Sequence, residues 1–211
     1  ALKVDTTSSF TTGTNEIDLS RSDNEFAGAV SLSNSGANNA SLRNKNALDL
    51  GTVAVGQDFT VTPGGSLTDS GNVTVTGNLV ATTDANSGVI DMGTLRVDGT
   101  VALTTDGDGD ATVVNDTLLD FANSTVRGNL VATATTGNII DTGVLTISGT
   151  STFTTSQSND DITLGSVNVL TGAVTLNTSG STGHAVVDNG TTALIIAASS
   201  VGGDLTLTSG A

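Results

Sequence analysis

The chain has 211 residues, with 21 acidic side chains against 6 Lys and Arg and a net charge of −15, a balance that excludes a binder of nucleic-acid backbones. It contains no Cys, which removes disulfides, thiolate catalysis and Cys-ligated metal centres. Aromatics are only 2% and glycine occurs 26 times, so no core of large rings is expected, while a mean hydropathy of +0.13 argues against disorder.

In chain order, short stretches alternate apolar and polar residues with period two and break at Gly or Asn corners, the pattern of half-buried strands joined by turns. The first, LKVDTTSSFTT (2–12), returns 143 positions later as LTISGTSTFTT (145–155). ALDLGTVAVGQDF (47–59) and SLTDSGNVTVTGN (66–78) share the form apolar-Asp-x-Gly, alternation, then a glycine-containing corner. GNLVAT stands at 77–82 and again at 128–133, trailed by GVIDMGTLRVDGT (88–100) and NIIDTGVLTISGT (138–150). Related segments occupy 117–130 and 161–174. Three longer units, 28–51, 99–122 and 172–197, read as copies of one another.

Anchoring each unit on the first inward residue after its corner selects Ser8, Val30, Phe59, Leu79, Val101, Leu130, Ser151, Val174 and Leu205. Their spacings are 22, 29, 20, 22, 29, 21, 23 and 31, which groups nine units in threes with a period near 72. Units this small cannot bury their own apolar face and must stack on their neighbours. The expected fold is therefore all-β: a single right-handed parallel β-helix over 1–211, with about nine coils in a three-coil super-repeat. In the long coils an extra strand pair (ASLRNK, ATVVND or HAVVDN) is expected to protrude from the common cross-section.

An inward column of Val4, Phe26, Val55, Val75, Val97, Val126, Ile147 and Val201, with Val169 one position further back, suits a pleated buried surface. Val97 is expected to touch Val75 below and Val126 above. Sizes compensate along the stack: Ser8 precedes Phe10 and Ser151 precedes Phe153, while Leu79 and Leu130 are followed by Ala81 and Ala132. No apolar run approaches the length of a membrane span. With no starting Met, basic leader or cleavage pattern, the chain reads as an excised or mature segment of something longer.

The series NEFAGAVSLSNSG (24–36), GSLTDSGNVTVTGNLVATT (65–83) and DITLGSVNVLTGAVTL (161–176) resembles the repeats of filamentous haemagglutinin-like exoproteins, exported by two-partner secretion. The resemblance implies a β-helical stalk of a secreted or bacterial cell-surface adhesin. Its partners would be a host or neighbouring cell surface, a glycan or matrix. The family offers no catalytic residue to carry over.

Candidate sites are sparse, and no enzyme is expected. DGDGDAT (106–112) places Asp106, Asp108 and Asp110 at the alternate spacing of a calcium loop. It departs from the EF-hand pattern, with Ala111 at the turn glycine and Thr117 at the bidentate Glu, so a polar tip loop is the competing reading. His184 is the only histidine and has no nucleophile pattern around it. Asp160 and Asp161 are the nearest approach to the acid pair of a carbohydrate-active β-helix enzyme, but they fall at a turn. Five coils carry an aspartate ten positions before the anchor: Asp49, Asp69, Asp91, Asp120 and Asp141. Stacked about 4.8 Å apart, they would require either bonding of each carboxylate within its own turn or a column of cations, with Ca²⁺ the one cofactor left open. An ice-binding reading of the Thr-x-Thr stretches meets a mixed outward column: Lys3, Glu25, Ala54, Thr74, Arg96, Thr125, Thr146, Asn168 and Ser200. The functional expectation is a rigid stalk presenting loops, with a filament subunit stacking head to tail, or a carbohydrate-active enzyme, as alternatives.

Overall fold

The computed structural model of the protein describes residues 1–210, apart from the side chains of Ala85 and Asn86; the last residue of the expected unit 1–211, Ala211, lies outside the described residues. Alternation dictates strands, and the strands coil into a parallel β-solenoid of about ten turns with roughly 21 residues per turn and no helix among the described residues. Two sheets form its long walls. The first runs from Ser8–Gly13 through Val30–Asn34, Leu48–Val55, Ile90–Val97, Ala111–Asn115, Leu130–Ala134, Ser151–Ser158 and Ala173–Ser179 to Ile195–Ile196. The second runs from Ile17–Leu19 through Ala40–Asn44, Phe59–Pro63, Leu79–Asn86 and Thr100–Asp106 to Ala185–Asp188 and Leu205–Thr208.

Each half-turn is built from one of two kinds of segment. A straight segment is a single strand such as Phe59–Pro63 or Leu130–Ala134. A bent segment turns a corner between two short stretches, as in Leu67–Asp69 with Val73–Val75, or Ile139–Asp141 with Leu145–Ile147. The first sheet stacks three bent segments, starting at Leu48, Leu67 and Ile90, and then four straight ones, starting at Ala111, Leu130, Ser151 and Ala173. The second sheet does the reverse at the same heights. There four straight segments (from Ala40, Phe59, Leu79 and Thr100) precede three bent ones (from Leu119, Ile139 and Ile162).

Three bent and four straight segments make seven half-turns, so the 72-residue period is three and a half turns and not three coils. The long spacings mark places where the recurring motif changes sheet: Val30 lies in the first sheet and Phe59 in the second, Val101 in the second and Leu130 in the first. Within a sheet the steps are even, as in Phe59 to Leu79 to Val101 and Leu130 to Ser151 to Val174. The two GNLVAT copies consequently occupy opposite walls. The inserted strands do not protrude: Ala40–Asn44 is paired on one side with Ile17–Leu19 and on the other with Phe59–Pro63, and Ala111–Asn115 and Ala185–Asp188 are likewise wall strands. An unpaired strand in solvent would leave its peptide groups without partners, whereas half a turn in the wall satisfies them.

The core is the inward half of the wall strands and is mostly aliphatic; Phe59, Phe121 and Phe153 are its largest fully buried rings. Phe121 and Phe153 meet edge to face with centroids 6.4 Å apart. The expected single valine column is three columns. Val4 pairs with Phe26, Val55 with Val75 and Val97, and Val126 with Ile147 and Leu170. Val97 is fully buried on Val75, as expected, but Val126 belongs to the other sheet. Leu170 fills the inward position, and Val169 is 37% exposed.

Candidate functional site

The chemistry visible in the frame lies in how polar side chains join one turn to the next. Where a straight segment sits on a bent one, its strand is too short to cover the end of the bent path. The backbone of Phe26, Val97 and Leu170 would be left without a neighbour at these three places. An asparagine four residues after the first residue of the inserted strand supplies one each time. Asn44 Oδ1 accepts from Phe26 N (2.8 Å) and its Nδ2 donates to Phe26 O (3.2 Å). Asn115 does the same to Val97 (2.8 and 3.1 Å), and Asn189 to Leu170 (2.7 and 3.1 Å). The side-chain amide thus acts as a substitute peptide group. The remaining Nδ2 proton of each goes to the following turn, at Ala47 O, Leu118 O and Ala193 O.

The opposite wall changes from straight to bent at the same layers. Asn34 Oδ1, Thr105 Oγ1 and Thr178 Oγ1 accept from Gly56 N, Arg127 N and Gly202 N, each at 3.0 Å. Ser124 Oγ and Ser199 Oγ cover Leu103 N and Leu176 N. These switch-layer residues were not singled out in the sequence. Their signal was present, since Asn44, Asn115 and Asn189 recur at the same place in the three long units.

The five aspartates do not form a column. Asp49 and Asp91 both stand opposite Thr68, Asp69 stands opposite Leu50, and Asp120 and Asp141 lie in the other sheet opposite Ile140 and Phe121. Their bonds also differ from the expected turn within each coil, because they reach the corner of the next turn. Asp69 accepts from Gly93 N and Thr94 N, both at 2.9 Å. Asp120 accepts from Thr142 N and Oγ1 (3.1 and 3.0 Å), and Asp141 from Gly165 N and Ser166 N (2.7 and 3.1 Å). Asp49 takes the Ser70 hydroxyl at 2.7 Å. Above Asp91 the straight strand Ala111–Asn115 replaces the corner, and Asp91 is exposed. Burial raises the Asp141 carboxyl above its ordinary value, and bonds from Asn168, Ser166 and Gly165 oppose that rise.

In the DGDGD loop the three carboxylates take separate tasks. Asp106 Oδ1 accepts from Gly107 N within the loop, and Asp110 Oδ1 accepts from Asn129 N (2.6 Å) in the next turn. Asp108 is exposed, with its own N–H on Ser87 Oγ. Among the described residues no three His, Cys, Asp or Glu side chains converge to hold a metal ion. Asp110 belongs instead to a corner ladder: Asp110 holds Asn129, whose Oδ1 accepts from Thr150 N, just as Asp58 holds Asn78 and Asn78 holds Thr100. His184 is a rung of a third ladder. Its backbone N–H donates to Asp161 Oδ1 (2.7 Å) and its ring Nδ1 accepts from Asp204 N (2.8 Å). Asp160 and Asp161 are separated by these roles, because Asp160 contributes its carbonyl to Thr155.

The outward column differs from the expected one as well. Thr82, Thr104, Thr125 and Thr146 are in register across four turns, followed by Val169 and not Asn168. The cations pair locally at the surface: Arg43 with Asp84, Lys45 with Glu25, and Arg96 with Asp98 and Asp116. The switch layers also place three loops. Loops 35–39 and 180–184 leave the first sheet for the second, and loop 107–110 leaves the second for the first. They therefore emerge on alternate edges, three and a half turns or about 17 Å apart along the axis.

No curated protein and no solved structure matches the chain. A family described as repeats of unknown function (DUF5649) matches residues 1–33, 37–90 and 108–177. These segments cover most of the length, and the chain belongs to that repeat family.

Proposed function

We propose that the chain is a scaffolding rod in a secreted or cell-surface bacterial exoprotein of the filamentous haemagglutinin type, holding short loops toward a cell surface, glycan or matrix. One observation carries the reading: parallel pairing continues from Ser8–Gly13 to Ile195–Ile196 while the switch-layer loops differ freely. The same structural place holds SGANN at 35–39, GDGD at 107–110 and GSTGH at 180–184. A frame that repeats and tips that vary are what a display scaffold needs, since repeated packing supplies stiffness and the loops supply contact.

The test is adhesion of beads carrying the chain to cells and to immobilised glycans, beside a version with all three loops replaced by Gly-Ser of equal length. Binding by the parent and its loss in the loop-replaced rod, with unchanged circular dichroism, supports the reading. Equal binding by both, or by neither, overturns it.

A further inference from the structure

We propose that the middle switch layer is a built-in parting line, along which the rod divides into two cooperative units before either half unfolds. In a solenoid each turn is held by its own stability and by its interface with the next, so the weakest interface decides where cooperativity breaks. Two successive interfaces of the first sheet beyond that layer are continuous backbone ladders. Ala111–Asn115 is matched residue for residue to Leu130–Ala134, and those to Ser151, Thr152, Phe153, Thr154 and Thr155. Between 90–106 and 111–126 both walls change segment type together. The first sheet slips register between Met92 and Leu95. In the second, Thr100–Asp106 meets its neighbour only at Thr100, Val101 and Thr104.

Side chains fill the gaps. Val97 is closed by Asn115, Leu103 N by Ser124 and Arg127 N by Thr105. These three side chains are 0–3% exposed, so polar groups occupy interior volume, and Asn115 and Ser124 stand in register with Leu95 and Leu145 of the adjoining turns. A side-chain bond must be held against rotamer freedom that a backbone ladder does not have, and the polar atoms add nothing to apolar burial. The layer is satisfied but weakly coupled, and a rod bearing load would lengthen there in a defined step.

Phe59→Trp and Phe153→Trp place a single fluorophore in each half, since the chain has no Trp or Tyr. In urea the two reporters should show separate midpoints, and Asn115→Ala should widen the separation. Coincident midpoints in the parent background, each with the slope of the whole chain, would overturn the proposal. If either Trp variant fails to fold, hydrogen exchange of the unmodified chain in moderate urea gives the same reading. One half exchanged while the other stays protected supports the parting line, and simultaneous exchange of 59–63 and 151–155 overturns it.

Discussion

The amide of Asn115 closes on both backbone polar atoms of Val97, accepting from its N–H at 2.8 Å and donating to its carbonyl at 3.1 Å, from a strand 18 residues later. Asn115 has no exposed surface, so water cannot replace either bond if the side chain is shortened. Asn115→Ala therefore leaves the Val97 peptide groups buried and unpaired, a cost of about 2–4 kcal/mol from two orphaned groups. Asn115→Asp should be at least as damaging, because a carboxylate accepts from Val97 N but repels Val97 O and Leu118 O. Chemical denaturation measures both, and Asn44→Ala should behave alike. Equal stability of Asn115→Ala and the parent would refute the substitute-peptide role.

The inward assignment of Val97 and the outward one of Val169 make a matched pair. Val97 has no exposed surface, so Val97→Asp buries an unpaired charge and should cost several kcal/mol, on the order of 3 or more. Val169 is 37% exposed, and Val169→Asp should change stability by no more than about 0.5 kcal/mol. Similar thermal midpoints for the two variants would mean that one of the faces is assigned wrongly.

The aspartates divide by what lies above them. Asp69 holds two backbone N–H groups and a hydroxyl of the next corner, so Asp69→Ala should lower stability by about 1–2 kcal/mol. Asp91 faces Thr112 on a straight strand, and Asp91→Ala should be close to neutral. Replacing calcium by chelator at constant ionic strength should leave the melting midpoint unchanged. A calcium-dependent rise that Asp91→Ala abolishes would restore the cation column.

Two carboxylates should titrate in opposite directions from their ordinary values. Burial holds the Asp141 carboxyl above 3.8, whereas the Lys45 ammonium beside Glu25 holds that carboxyl below 4.5. For Asp141 the folded state favours the neutral form. Its contribution is complete below 3.8 and is lost as pH rises through the raised value. For Glu25 the sign is reversed: its contribution is present above 4.5 and lost as pH falls through the lowered value. Carboxyl carbon shifts followed by NMR give both midpoints, and an Asp141 midpoint at or below 3.8 would contradict its burial.

Alternation of apolar and polar residues determined, without reference to any structure, that the chain is strands and corners, that Val75, Val97, Leu79 and Leu130 face inward, and that the units stack in parallel. Those features follow from the pleat, which any half-buried strand obeys locally. What stacks on what was decided only in three dimensions. The two GNLVAT copies have the same sequence and the same inward residues, yet one lies in each sheet, because an inserted straight strand advances the path by half a turn. Both walls accept the same alternating pattern, so identity of sequence fixes the face of a strand and leaves its column open. Path length around the section settles that column. Asp91 and Asp120 are consecutive in the sequence pattern and lie in different sheets for this reason, as Val97 and Val126 do. The buried amides of Asn44, Asn115 and Asn189 mark the three layers where that half-turn is gained, and their partners, 18 or 19 residues earlier, exist as partners only once the turns are stacked.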